Sequence, residues 1–149
     1  MRAVVQRVSR ASVRVGERIT GGIETGFLAL IGVAVGDTEA DARAIGEKIA
    51  GLRVFPDEAG LMNRSVAEAG GCVLVVSQFT LLGDARKGRR PSFIEAAKEP
   101  AARELYERVG EIVAAFGIPV AYGEFGADMQ VELVNDGPVT ILLDSKRRF

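Results

Sequence analysis

The sequence predicts an α/β fold: one domain spanning residues 1–149, with mixed β-sheets in two layers, partly barrel-like, and two main helices packed outside to make a three-layer α/β/β arrangement. Three observations predict it. Valine-rich, strand-like segments joined by glycine-containing turns crowd both ends of the chain, which argues for antiparallel neighbours there. Between them Phe27–Val35 is apolar throughout and is followed at once by helical periodicity, the pattern of a strand–helix–strand crossover. No linker, repeat or low-complexity stretch divides the chain.

Taken in order, residues 2 to 9 and Ser12 to Val15 alternate loosely and carry much valine. Gly16-Glu17 marks a turn into Arg18-Ile19-Thr20, giving a strand and hairpin. Gly36-Asp37-Thr38 announces a helix, with Asp37 or Thr38 as its N-cap. Ala42, Ile45, Ile49 and Leu52 then recur at helical spacing. Val54-Phe55 reads as a short strand and Asn63 to Gly71 as a loop with room for a helical turn. Cys72 to Leu82 reads as a strand that opens with four apolar residues, Val73 to Val76. Gly83 to Pro91 is a polar, basic loop, and Ser92 to Ala97 suits a short helix. Leu105, Tyr106, Val109, Ile112, Val113 and Phe116 form one apolar stripe of a second long helix, with Pro100 in its first turn and Gly117 and Pro119 to stop it. Three closing strands follow, Val120 to Tyr122, Met129 to Val134 and Val139 to Leu143, with Asn135-Asp136-Gly137-Pro138 as a hairpin connection between the last two.

Composition excludes several chemistries. Net charge is -1, so nucleic-acid binding requires a local patch rather than bulk charge. No apolar run reaches the roughly 18 residues of a membrane span, and the N-terminus lacks the apolar core of a signal peptide, so a cytoplasmic location with no membrane partner is the expectation. A single cysteine, Cys72, rules out internal disulfides and thiolate metal sites. There is no histidine, which removes Ser-His-Asp and Cys-His catalysis and the commonest metal ligand, so no metal and no cofactor are expected.

Four stretches carry polar groups where structure alone has little need of them. Ser77-Gln78-Phe79-Thr80 ends an apolar strand with a hydroxyl, an amide and a second hydroxyl, each of which must find a hydrogen bond. As extended chain it would put Gln78 and Thr80 on one face and Ser77 and Phe79 on the other. If the strand ends or bulges there, the Phe79 and Thr80 amides could form an oxyanion hole; a strand end bonding to neighbouring loops is the plainer alternative. Asn135 to Thr140 is a turn with exposed carbonyls, in which Pro138 cannot donate to a ladder. Arg86, Lys87, Arg89 and Arg90, with Lys146, Arg147 and Arg148, suit phosphate contacts or merely a solvated surface. Phe125-Gly126-Ala127-Asp128-Met129 could wall a pocket or pack in the core.

Together these stretches resemble the D-aminoacyl-tRNA deacylase family, the bacterial type with a Gly-cisPro motif. The resemblance covers the whole chain and rests on Gln6-Arg7-Val8, Ser77-Gln78-Phe79-Thr80-Leu81, Arg90-Pro91-Ser92-Phe93, Phe125 to Met129 and Asn135 to Thr140. It implies a homodimeric ester hydrolase whose substrate is aminoacyl-tRNA bearing a D-amino acid or glycine on its 3′-terminal adenosine. It further implies a cis Gly137–Pro138 bond, inserted into the partner's active site so that its carbonyls capture the α-amino group and an L side chain clashes. Arg7 would hold those carbonyls. Ser77, Gln78, Phe79 and Thr80 would bind the adenosine and the ester, and Phe125 and Met129 would line the pocket. The resemblance also implies that the substrate's 2′-hydroxyl assists catalysis; Thr80 as nucleophile is the alternative. A non-catalytic RNA-binding module and a purely structural dimer are the other classes left open, distinguished by whether RNA binding depends on the acyl group and on salt.

Overall fold

The computed structural model describes residues 1–149. Its eight strands are β1 (Arg2–Val15), β2 (Arg18–Ile23), β3 (Gly26–Gly32), β4 (Phe55–Pro56), β5 (Met62–Arg64), β6 (Cys72–Ser77), β7 (Val120–Tyr122) and β8 (Gln130–Asp144). The helices are α1 (Glu39–Gly51) and α2 (Ala101–Ala115). Six strands form one mixed sheet in the order β2-β1-β3-β6-β7, with β8 on the other edge of β1; β4 and β5 pair apart from it. β1 is antiparallel to β2, β3 and β8, while β3–β6 and β6–β7 are parallel. The two parallel pairs are the ones joined through helices, as crossover connections require.

Side-chain alternation on the central strands explains the layers. Phe27, Ala29 and Ile31 of β3 and Val73 and Val75 of β6 face the helices, where they meet Ile45, Ile49, Val109 and Val113. Leu28, Leu74 and Val76 face the opposite way and pack with Val8, Ala11 and Val13 of β1. Because the sheet curls, β2 comes back against β7, and Gly21 leaves no space for a Cβ beside the Tyr122 carbonyl. That closure makes the sheet partly barrel-like, with the second cluster inside it. The helices cross closely at Gly46, where a Cβ would lie 2.7 Å from Ile112 Cγ2.

Thr38, rather than Asp37, caps α1; Asp41 accepts its backbone N–H at 2.8 Å. Asp37 instead binds the α-ammonium of Met1 at 2.8 Å. Several sequence expectations change. Ser92 to Ala97 forms no helix: Ala96 bridges to Ala34, and the Ala97 N–H donates to the Val33 carbonyl at 2.9 Å, so these groups serve β3's extension instead. Phe116, the last member of the α2 stripe, lies beyond the helix and is exposed. Asn63 is not in a loop but in β5, bonded by its side chain to Asp57 and Arg53.

The largest correction concerns the C-terminus. The strands expected at Met129 to Val134 and Val139 to Leu143 are one strand, β8, and Asp136-Gly137 is no hairpin. Both halves run antiparallel to β1: Arg14 to Arg10 pair with Gln130 to Val134, and Gln6 to Arg2 pair with Thr140 to Asp144. Between them the chain loops out at residues 136–139 opposite Arg7 and rejoins the same direction. An Asp-Gly pair signals positive φ, which Gly137 has at 134°, but such a residue serves a bulge as well as a turn.

Candidate active site

β6 ends at Ser77, which pairs with Ile31, and the Gln78 N–H still donates to the Ile31 carbonyl at 2.7 Å. The chain then winds into a single 3-10 turn, Phe79–Leu82. Gly32 at the end of β3 permits this: a Cβ there would lie 2.6 Å from Leu82 and 3.1 Å from the Gln78 carbonyl. The expected extended alternation therefore stops at Ser77. Because the backbone turns, Ser77, Gln78, Phe79 and Thr80 line one cleft together, of about 500 Å³.

Each polar group has a definite state. Gln78 Nε2 donates to Thr80 Oγ1 at 3.0 Å, so the Thr80 hydroxyl is held by an amide, not by a base. The Phe79 and Thr80 amides open the 3-10 turn, where no carbonyl three residues back lies inside the helix to accept them, and neither donates to a loop carbonyl. The Phe79 ring is half exposed and meets Phe93 edge-on, centroids 5.2 Å apart.

Phe125 and Met129 stand on the same cleft, with Gly126 and Ala127 between them. Phe125 is fixed from two sides. Tyr106 packs against it at 5.7 Å, and the Arg103 guanidinium lies 4.7 Å from its ring centroid. Arg103 is in turn paired with Glu99 at 3.3 Å. Tyr106 is itself anchored: burial pushes its phenol well above the ordinary range, so it stays a proton donor and bonds the Val75 carbonyl at 3.0 Å.

Arg7, Gly137 and Pro138 lie together but away from this cleft. Arg7 Nε donates to the Asp136 carbonyl at 3.0 Å and Nη1 to the Val54 carbonyl at 2.6 Å. It thus grips the residue before the glycine, one carbonyl earlier than the resemblance implies. Asn135 closes the bulge, its Oδ1 accepting the Val139 N–H at 2.8 Å. The Gly137–Pro138 peptide bond is cis, as is Glu99–Pro100. Of the basic residues, Arg86 is locked to Asp84 by two bonds of 2.7 and 2.9 Å, which hold that carboxyl at about 2, and Lys146 is bound to Asp41 at 2.9 Å. Both are therefore spoken for within the chain.

The chain has counterparts among known proteins. A family model described as D-Tyr-tRNA(Tyr) deacylase matches residues 4–144. The chain belongs to that family. A D-aminoacyl-tRNA deacylase of Anaeromyxobacter dehalogenans (strain 2CP-C) is 62% identical over the full length of both chains. One from Symbiobacterium thermophilum is 58% identical over 100% of this chain and 99% of its own. Among solved structures, a protein described as c-Myc DNA Unwinding Element Binding Protein superposes with a TM-score of 0.90 at 41% identity, covering 97% of this chain and 98% of its own. A probable eukaryotic D-amino acid tRNA deacylase shares the fold at a TM-score of 0.80 and 18% identity, over 95% of this chain and 97% of the other.

Sequence reasoning missed the deacylase-family cleft's two charged residues, Lys98 and Glu99. They sit in a segment read only as the approach to a helix. The available signal was Lys-Glu directly before Pro100, charges set at the start of a helix rather than along its outer face. Val33, Ala96 and Ala102 also line the cleft, and no periodicity marks them.

Proposed function

We propose that this protein hydrolyses the ester of D-aminoacyl-tRNA, releasing free D-amino acid and tRNA, and that glycyl-tRNA is also a substrate. The observation that carries the reading is the make-up of the cleft. It offers hydroxyls, an amide and two backbone N–H groups on one side and apolar walls on another, while its one carboxylate, Glu99, is paired with Arg103 and the Thr80 hydroxyl is bonded to an amide rather than a base. Such a site can orient an ester and stabilise its oxyanion. The Phe79 and Thr80 amides are the donors suited to that charge, an interaction worth several kcal/mol in a preorganised site. Water adds to the ester carbonyl, the tetrahedral oxyanion collapses, and the ribose oxygen leaves with a proton. The 2′-hydroxyl of the terminal ribose is the group that relays protons, since the hydrogen-bond neighbour of Thr80 Oγ1 is the Gln78 amide, which cannot take its proton.

In this reading the enzyme is a cytoplasmic homodimer, and Gly137-Pro138 of one copy enters the cleft of the other. Support comes from shape and from β8. The bulge stands out from the sheet, while β8 pairs only with β1 and exposes Val131, Val134 and Leu142. An unpaired apolar edge of this length is one that a second copy would cover. Carbonyls of the bulge would accept the substrate's α-ammonium, and the space left beside them would exclude an L side chain.

The test is deacylation of D-tyrosyl-tRNA against L-tyrosyl-tRNA. The expected result is hydrolysis of the D-ester only; equal rates, or none on the D-ester, would sink the proposal. The mechanism has its own test. A terminal 2′-deoxyadenosine should abolish turnover, while Thr80→Ala should retain most of it; the opposite pattern would make Thr80 the nucleophile.

A further inference from the structure

Two charged side chains reach the cleft, and they differ in state. Glu99 is neutralised by Arg103 at 3.3 Å. Lys98 lies at the exposed rim and has no carboxylate partner, so it is the one unbalanced charge of the site. Its backbone is nonetheless firmly placed. The Lys98 carbonyl accepts the Ala102 N–H at 3.0 Å, and the adjoining Ala97 N–H is held by Val33 at 2.9 Å. A flexible ammonium on a fixed backbone at the mouth can reach an anion there.

The ligand read for this cleft narrows what that anion is. At the end of an aminoacylated RNA, the amino acid contributes a cation, and adenine and ribose are neutral. The first negative charge is the phosphate on the 5′ side of the terminal nucleoside, at the point where the strand leaves the cleft. We propose that Lys98 binds this phosphate. The inference rests on the reading of the cleft as an aminoacyl-nucleotide site. It also separates Lys98 from the basic loop. That loop is closed at its base by the paired Asp84 and Ser92 backbones at 2.8 Å, and Arg86 is taken by Asp84. Lys87, Arg89 and Arg90 are exposed on the loop but line no part of the cleft.

The experiment compares D-tyrosyl esters of adenosine and of adenosine 5′-monophosphate, alongside direct binding of adenosine and of adenosine 5′-monophosphate by calorimetry. The native protein should favour the phosphorylated member of each pair by roughly tenfold, the usual size of a hydrogen bond to a charged group. Lys98→Ala should reduce both ratios to about one, and Lys98→Arg should restore them. A triple change of Lys87, Arg89 and Arg90 to alanine should leave both ratios intact, yet weaken binding of a CCA trinucleotide and flatten its salt dependence. A preference for phosphate that survives Lys98→Ala overturns the proposal. So does a Lys98→Ala protein that loses only its preference for a D-aspartyl over a D-asparaginyl ester, which would make the anion a substrate carboxylate. If neither ester is hydrolysed while the nucleotide preference follows Lys98, the hydrolase reading fails and the phosphate site stands.

Discussion

In the cleft around Phe79, polar groups sit in a hollow backed by the core, and the Thr80 hydroxyl is oriented by Gln78, two residues away in sequence. At residues 136–139 the polar backbone stands out from the sheet, and what orients it is Arg7, from the other end of the chain. One region is concave and lined with apolar walls; the other is convex and exposed. Neither Gly137 nor Pro138 lines the cleft of its own chain. In the proposed homodimer, the bulge of one copy would enter the cleft of the other and bring the two together. Both regions combine local and distant bonds: the cleft uses the Gln78–Thr80 contact and the space left by Gly32, and the bulge uses Asn135 and Arg7.

The comparison can be broken most severely at Gly137. Its φ of 134° is open to glycine, and an added Cβ would lie 2.7 Å from Val139 Cγ2 and 3.2 Å from Arg7 Nη2. Gly137→Ala should cost about a hundredfold in deacylation of D-tyrosyl-tRNA, the scale of an ångström-sized misplacement. Mixed with an equal amount of an Ala127→Trp chain, whose cleft is filled, it should regain about a quarter of native activity, because half the dimers carry one intact hollow facing one intact bulge. No recovery on mixing would mean that the two regions do not meet across copies.

A smaller effect sharpens the cleft side. Arg103→Ala removes the guanidinium from the Phe125 ring and frees Glu99, and should raise KM by roughly three- to tenfold with little change in kcat, in line with a cation–π contact. Steady-state kinetics with Arg103→Lys restoring part of the loss would separate this from a general packing defect.

The smallest effect on activity is expected far from both regions, at Asp41. Burial alone would raise its carboxyl pKa, but bonds from Ser145, Lys146 and the Thr38 backbone outweigh it and hold the group well below its ordinary 3.8. A depressed folded pKa contributes stability that is complete above the unfolded value and fades as pH falls beneath about 4. Urea unfolding from pH 7 to 3 should therefore show the native protein losing stability below pH 4 more steeply than Asp41→Asn. At pH 7 the variant should be weaker by on the order of 1–3 kcal/mol, with its D-to-L preference unchanged.

Much of this was legible in the sequence, and the failures have physical reasons. Continuous apolar runs identified the doubly buried β3 and β6, because burial on both faces leaves no other composition. The α2 stripe was readable up to Val113 and misled at Phe116, where Gly117 had already ended the helix. At Ser77 to Thr80 the polar composition marked residues that line the cleft but not its shape. The turn there depends on Gly32, a residue 45 positions away whose missing side chain makes the space. The Asp136-Gly137 signal was sound about backbone conformation and silent about direction, since a bulge and a hairpin both use a positive-φ glycine. Only pairing with β1 decides between them, and that partner lies at the opposite terminus.

That pairing has a consequence for how the chain comes into being. Arg2 is matched with Asp144, so the first strand to be synthesised completes its edge only with the last. While the ribosome is still at work, β1 can close onto β2 and β3, but its entire second edge stays open. Such sequence-distant pairing slows folding and leaves a valine-rich edge exposed to neighbours for that interval. The final residues of β8 act as the closing seam of the molecule.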